Sequence, residues 1–112
     1  MYKLIHNNSC SKSRECKSIL DSKKVIYDLI EYKKIKLSKN QIEEIVNKLS
    51  KSSDEIIRKN ENEFRENKFD SDDKNKLINF LFKYPNCLQR PIFFNGEKYF
   101  VCRPPREVLL YL

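Results

Sequence analysis

The sequence predicts one α/β domain, ordered strand–helix–strand, then a helical stretch, then strand–strand–helix. Three observations predict it. Two apolar, β-branched runs flank an amphipathic segment near the start, together spanning about thirty residues, the size of one βαβ unit. A capping box opens a strongly periodic helix in the middle of the chain. Near the end, Asn95-Gly96 separates two strand-like runs, the preferred turn pair of a tight hairpin.

Tyr2 to Ile5 alternates and stops at the polar turn His6-Asn7-Asn8-Ser9, so it reads as a strand. Ser11 to Ser22 reads as a helix, with Cys16, Ile19 and Leu20 at helical spacing. Val25 to Tyr32, β-branched and aromatic, reads as the second strand. Ser38 opens the next helix with Gln41 three residues on, and Ile42, Ile45, Val46 and Leu49 form its apolar stripe. Ser53 begins a shorter helix that carries Ile56, Ile57 and Arg58. Asn60 to Asp73 reads as a short helix and a loop anchored by Phe64 and Phe69. Ser71 to Tyr84 reads as a helix with Leu77, Ile78 and Leu81 inward, stopped by Pro85. Pro91 to Phe94 and Glu97 to Val101 read as a hairpin with a type I′ turn at Asn95-Gly96, the latter the only glycine. Arg103-Pro104-Pro105 then leads into a terminal helix from Glu107 to Leu112.

The chain has 112 residues, enough for one core and little more. Hydrophobic residues at 39% and aromatics at 12% argue against a wholly disordered chain. No apolar run is long enough for a bilayer span or a signal peptide, so no membrane association and a cytoplasmic location are the expectation. Lys and Arg number 23 against 16 Asp and Glu, a net charge of +7. Such a charge suits a nucleic acid, an anionic membrane or a small anion. It also follows from A/T-rich codon usage, since Lys, Asn and Ile abound and alanine is absent. A recognition helix or aromatic-basic motif is missing, so nucleic acid is not an expected partner. Four cysteines and one histidine are too dispersed for a zinc site, and no disulfide framework is implied. No metal or bound cofactor is therefore expected.

The sharpest chemical feature is Cys10 at the N-terminus of the first helix. Backbone N–H groups and the helix dipole favour a thiolate there, with Lys12 and Arg14 adding positive charge, and the same loop can cradle an oxyanion. Cys16, Cys87 and Cys102 read as small apolar residues. His6, four residues before Cys10, either tunes the thiol or is a satisfied surface histidine. Arg90-Pro91 opens the hairpin at a place where a cis bond is a common device.

These residues carry a resemblance. His6-Asn7-Asn8-Ser9-Cys10-Ser11-Lys12-Ser13-Arg14 is similar to the H-N-P-x-C-S-K-S-R signature of ArsC-type, glutaredoxin-dependent arsenate reductases. Ile56-Ile57-Arg58-Lys59, Gln89-Arg90-Pro91-Ile92 and Cys102-Arg103-Pro104-Pro105-Arg106-Glu107-Val108-Leu109 resemble that family's later motifs. The resemblance implies a thioredoxin-like fold, one domain over residues 1–112 with a helical insertion over about 38–84. It implies that Cys10 attacks arsenate and that Arg58, Arg90 and Arg103 hold the oxyanion, with His6, Ser13, Arg14 and Pro91 in support. It implies glutathione as co-substrate and glutaredoxin as partner, with the chain expected as a monomer. The chain departs from the family in two places, Asn8 for proline and Cys102 for glycine. Cys102 precedes Arg103, and adjacent strand residues face opposite sides, so Cys102 should lie behind the site. Two other readings use the same scaffold. One is a non-enzymatic Spx-like regulator that binds a protein partner, although the CxxC pair typical of that branch is absent. The other is a thiol oxidoreductase with a different substrate.

Overall fold

β1 (Tyr2–His6) lies inside a four-stranded sheet of order β2-β1-β3-β4. A computed structural model describes all residues from Met1 to Leu112. β1 pairs in parallel with β2 (Tyr27–Glu31) and antiparallel with β3 (Ile92–Phe94), which pairs antiparallel with β4 (Tyr99–Val101). α1 (Ser11–Ser22) connects β1 to β2 and completes the βαβ unit. α2 (Lys39–Asn47), α3 (Asn62–Glu66) and α4 (Lys74–Lys83) lie between β2 and β3 in sequence. The mixed α/β architecture follows the predicted order.

The two-residue period of the strands divides the core. Leu4 and its cross-strand partner Phe93 face α1, where they pack with Cys16, Leu20, Cys102 and Val108. Ile5, Ile92 and Phe94 face the other way, into a larger cluster with Ile42, Ile45, Leu77 and Leu81 from α2 and α4. His6 shares the alternation of Leu4, which turns its ring toward α1. On α1 the buried positions are Ser13, Cys16 and Leu20, one stripe at helical spacing. Cys10, one turn ahead of Ser13, tops that stripe.

Several local predictions are corrected. The second strand is shorter than expected, Tyr27–Glu31, so Tyr32 lies just past its C-terminal end. The helix expected to carry Arg58 is a single 3₁₀ turn, Ser53–Ile56. Ile57 is already extended and bridges Leu88, and the Arg58 N–H donates to the Cys87 carbonyl. Tertiary pairing with the segment before Pro91 overrides helix propensity there. The hairpin turn is not type I′, because that form needs positive φ at both central residues and Gly96 alone has it, at 103°. Asn95 caps the turn instead, its Oδ1 accepting from the N–H groups of Glu97 and Lys98. The terminal helix is 3₁₀, Pro105–Tyr111. No helix is long and apolar enough to cross a membrane.

Candidate active site around Cys10

Cys10 is the N-cap residue of α1, with extended backbone angles. Its N–H donates to the Asn7 carbonyl at 3.0 Å, closing the loop that leaves β1. No side chain caps the helix, so its first N–H groups face the thiol. Partial burial pushes the Cys10 thiol up. The Ser13 backbone N–H, the Arg90 guanidinium and the Lys12 backbone N–H outweigh that burial and bring it to about 7. A group at this value is half thiolate near neutrality, where an ordinary cysteine is a few per cent. The residues responsible differ from the expected ones. The side chains of Lys12 and Arg14 are not among the causes; Lys12 acts through its backbone, and Arg14 donates from Nη1 to the Asn8 carbonyl at 2.9 Å, tying the loop.

Behind the thiol lies a buried relay. His6 is wholly buried, which removes the surface-histidine reading. Its Nδ1 is 3.0 Å from Ser13 Oγ and its Nε2 is 3.3 Å from Asn8 Oδ1. Ser13 Oγ also accepts the Asn7 N–H at 3.1 Å. The amide oxygen of Asn8 can only accept, so Nε2 donates and Ser13 donates to Nδ1. Asn8 therefore holds the loop through side chain and carbonyl where the resembling family has proline. Cys102 also sits without strain, since Lys24 is the one non-glycine residue at positive φ.

The three expected arginines occupy different situations. Arg90 lies against the Cys10 sulfur. Arg58 donates from Nη1 to Gln89 Oε1 at 3.3 Å and pairs with Glu61 at 3.4 Å. Arg103 donates from Nη1 to the Arg90 carbonyl at 2.8 Å and is otherwise exposed. Arg90 is thus the hub, with Arg58 reaching it through Gln89, whose Oε1 also accepts the Arg90 N–H at 3.4 Å. The Arg90-Pro91 and Arg103-Pro104 peptide bonds are both cis. Tyr32, which the sequence did not single out, stands here too, its side chain 3% exposed. The available signal was its place after the C-terminal end of a parallel strand, where α/β sheets open their crevices.

The other thiols are set apart. Cys102 and Cys16 meet in the core behind α1, both wholly buried, and the neighbouring Cys16 thiol together with burial pushes Cys102 far up. Burial pushes Cys87 up to about 11 in the opposite cluster.

Comparison with known proteins agrees with this architecture. The ArsC family model matches residues 5–110. The chain is 28% identical over 109 residues to an arsenate reductase of Haemophilus influenzae, covering 95% of this chain and 94% of that protein. It is 30% identical over 110 residues to "Uncharacterized protein YfgD" of Escherichia coli K12, covering 96% and 92%. The solved structure of an arsenate reductase from Vibrio cholerae superposes with a TM-score of 0.85 at 24% identity, covering 99% of this chain and 97% of that one. With a matching family model over nearly its whole length and a thioredoxin-like sheet, this chain belongs to the ArsC family.

Proposed function

We propose that the chain is an arsenate reductase in which Cys10 is the nucleophile. One observation carries the reading: a cysteine held near 7 at a helix N-terminus, with the Arg90 guanidinium against its sulfur, in an ArsC-family chain. Arsenate is a tetrahedral anion, and a guanidinium offers it forked, permanently charged donors. The Cys10 thiolate attacks arsenic and forms an S–As bond as an oxygen leaves as water. A second thiolate then attacks, arsenic takes two electrons and leaves as arsenite, and a disulfide remains. Arg58, Arg90 and Arg103 hold the oxyanion, and His6, Ser13, Arg14 and Pro91 shape the loop.

The second thiol comes from outside. Cys16 lies six residues down α1, roughly 9 Å along the axis, beyond the ~7 Å that a disulfide spans. Cys102 is buried beside Cys16. Glutathione supplies this thiol, and glutaredoxin clears the mixed disulfide, with the chain acting as a cytoplasmic monomer. Purified protein with arsenate, glutathione and glutaredoxin should form arsenite, and Cys10→Ser should form none. Arsenite formation that survives Cys10→Ser, or none with either glutaredoxin or thioredoxin as reductant, overturns the reading.

A further inference from the structure

Two buried side-chain polar atoms in this protein have no hydrogen-bond partner, the Tyr32 hydroxyl and Arg90 Nε. A buried donor without a partner is costly, so such atoms are rare and call for a reason. These two belong to one place. The groups acting on the Tyr32 hydroxyl are Arg90, Asn7, Arg58 and Cys10 itself; of these, Arg90 also lies against the Cys10 sulfur and the Asn7 carbonyl accepts the Cys10 N–H. The Asn7 side chain lies beside the hydroxyl without completing a hydrogen bond, and its Oδ1 takes the Ser9 N–H at 3.0 Å.

We propose that Tyr32 is a substrate-binding residue whose hydroxyl, paired with Arg90 Nε, donates to a tetrahedral oxyanion held against Cys10. The proposal rests on the oxyanion reading above and adds a neutral donor that no arginine supplies. Burial raises the Tyr32 phenol, so it stays protonated and can donate at neutral pH. Packing of its ring in the larger core cluster, with Leu37 and Ile42, holds the donor in place before the ligand arrives. Arg90 Nε can only donate and the protonated phenol can donate, so an acceptor-rich anion satisfies both together, whereas a cation offers Arg90 Nε no acceptor.

The test is Tyr32→Phe, which keeps the ring and deletes the donor. Dissociation constants for inorganic arsenate, phosphate and sulfate are measured by calorimetry on wild type and variant, along with KM for arsenate and the melting temperature without anion. Affinity for the bound oxyanion, and KM, should worsen by about tenfold or more, the scale of a hydrogen bond to a charged group. The melting temperature of the free protein should hold or rise, because the variant removes an unsatisfied buried hydroxyl. A structural role would lower it instead. Equal affinities within twofold, or a weaker affinity together with a lower melting temperature, overturn the proposal alone. If arsenate is not turned over yet phosphate or sulfate binding shows the same dependence on Tyr32, the proposal stands and the arsenate reading falls. If wild type binds none of the three anions, both fall.

Discussion

Cys10 and Cys16 lie six residues apart on the same helix and carry the same group, yet one is brought to about 7 while the other is sealed beside Cys102. Cys10 meets the unpaired N–H groups of the first turn and a guanidinium. Cys16 is more than one and a half turns further on, past the orphan donors, against Leu4, Leu20 and Phe93. Reactivity here is a matter of address. A helix N-terminus stabilises the anion at Cys10, and the apolar core keeps Cys16 out of reach of solvent and reagents.

The largest expected effect is on Cys10→Ser, which should reduce arsenite formation and rapid iodoacetamide labelling of the native protein to background. Labelling of the native variant at Cys16 or Cys102 would break the contrast. Next comes pH. Below about 7 the Cys10 alkylation rate should fall roughly tenfold per unit, following the thiolate fraction. The same group makes folding stability depend on pH. Its folded value lies below its unfolded one, so between them the unfolded chain holds the proton that the folded chain has released. Stability from this group therefore rises as pH goes from about 7 toward 9 and is lost as pH falls through 7. Urea melts at three pH values check the sign.

Cys102→Ser should act on the other side of the comparison. A hydroxyl in that apolar cluster should cost about 1–3 kcal/mol of stability, while Cys10 alkylation stays within twofold. A Cys10–Cys102 disulfide found by mass spectrometry during turnover would show that the two environments communicate. Arg90→Ala should slow Cys10 alkylation at pH 7 by about three- to tenfold, since it removes a charge-assisted partner of the thiolate. Lys12→Ala should change it least, within twofold, because Lys12 acts through its backbone. Equal losses for both variants would mean a diffuse basic field rather than a directed contact.

Much of this was legible in the chain itself. The βαβ start, the Ser38–Gln41 capping box, the hairpin and the special position of Cys10 are local matters, written in periodicity and caps. Cys102 and Arg103 do diverge, one buried and the other exposed, but both lie past the end of β4, so the strand period expected there is not what separates them. Failures occur where a distant segment decides. Ile57 and Arg58 leave the helical path because Leu88 and Cys87 offer them backbone partners some thirty residues away. The turn at Gly96 is a local exception: Gly96 alone takes positive φ, and the Asn95 side chain accepts from the N–H groups of Glu97 and Lys98.

The amino-acid sequence by itself determined the element order, the family and the position of Cys10 at a helix N-terminus, because helix caps, apolar period and motif spacing act over a few residues. Only the tertiary structure decided the rest. It selected Arg90, rather than Lys12 or Arg14, as the thiolate's charged partner; it buried His6 against Ser13; and it left Tyr32 and Arg90 with donors unspent beside Cys10. Those outcomes depend on where chains far apart in sequence meet, and on which polar atoms the packing leaves without a partner, neither of which any local pattern encodes.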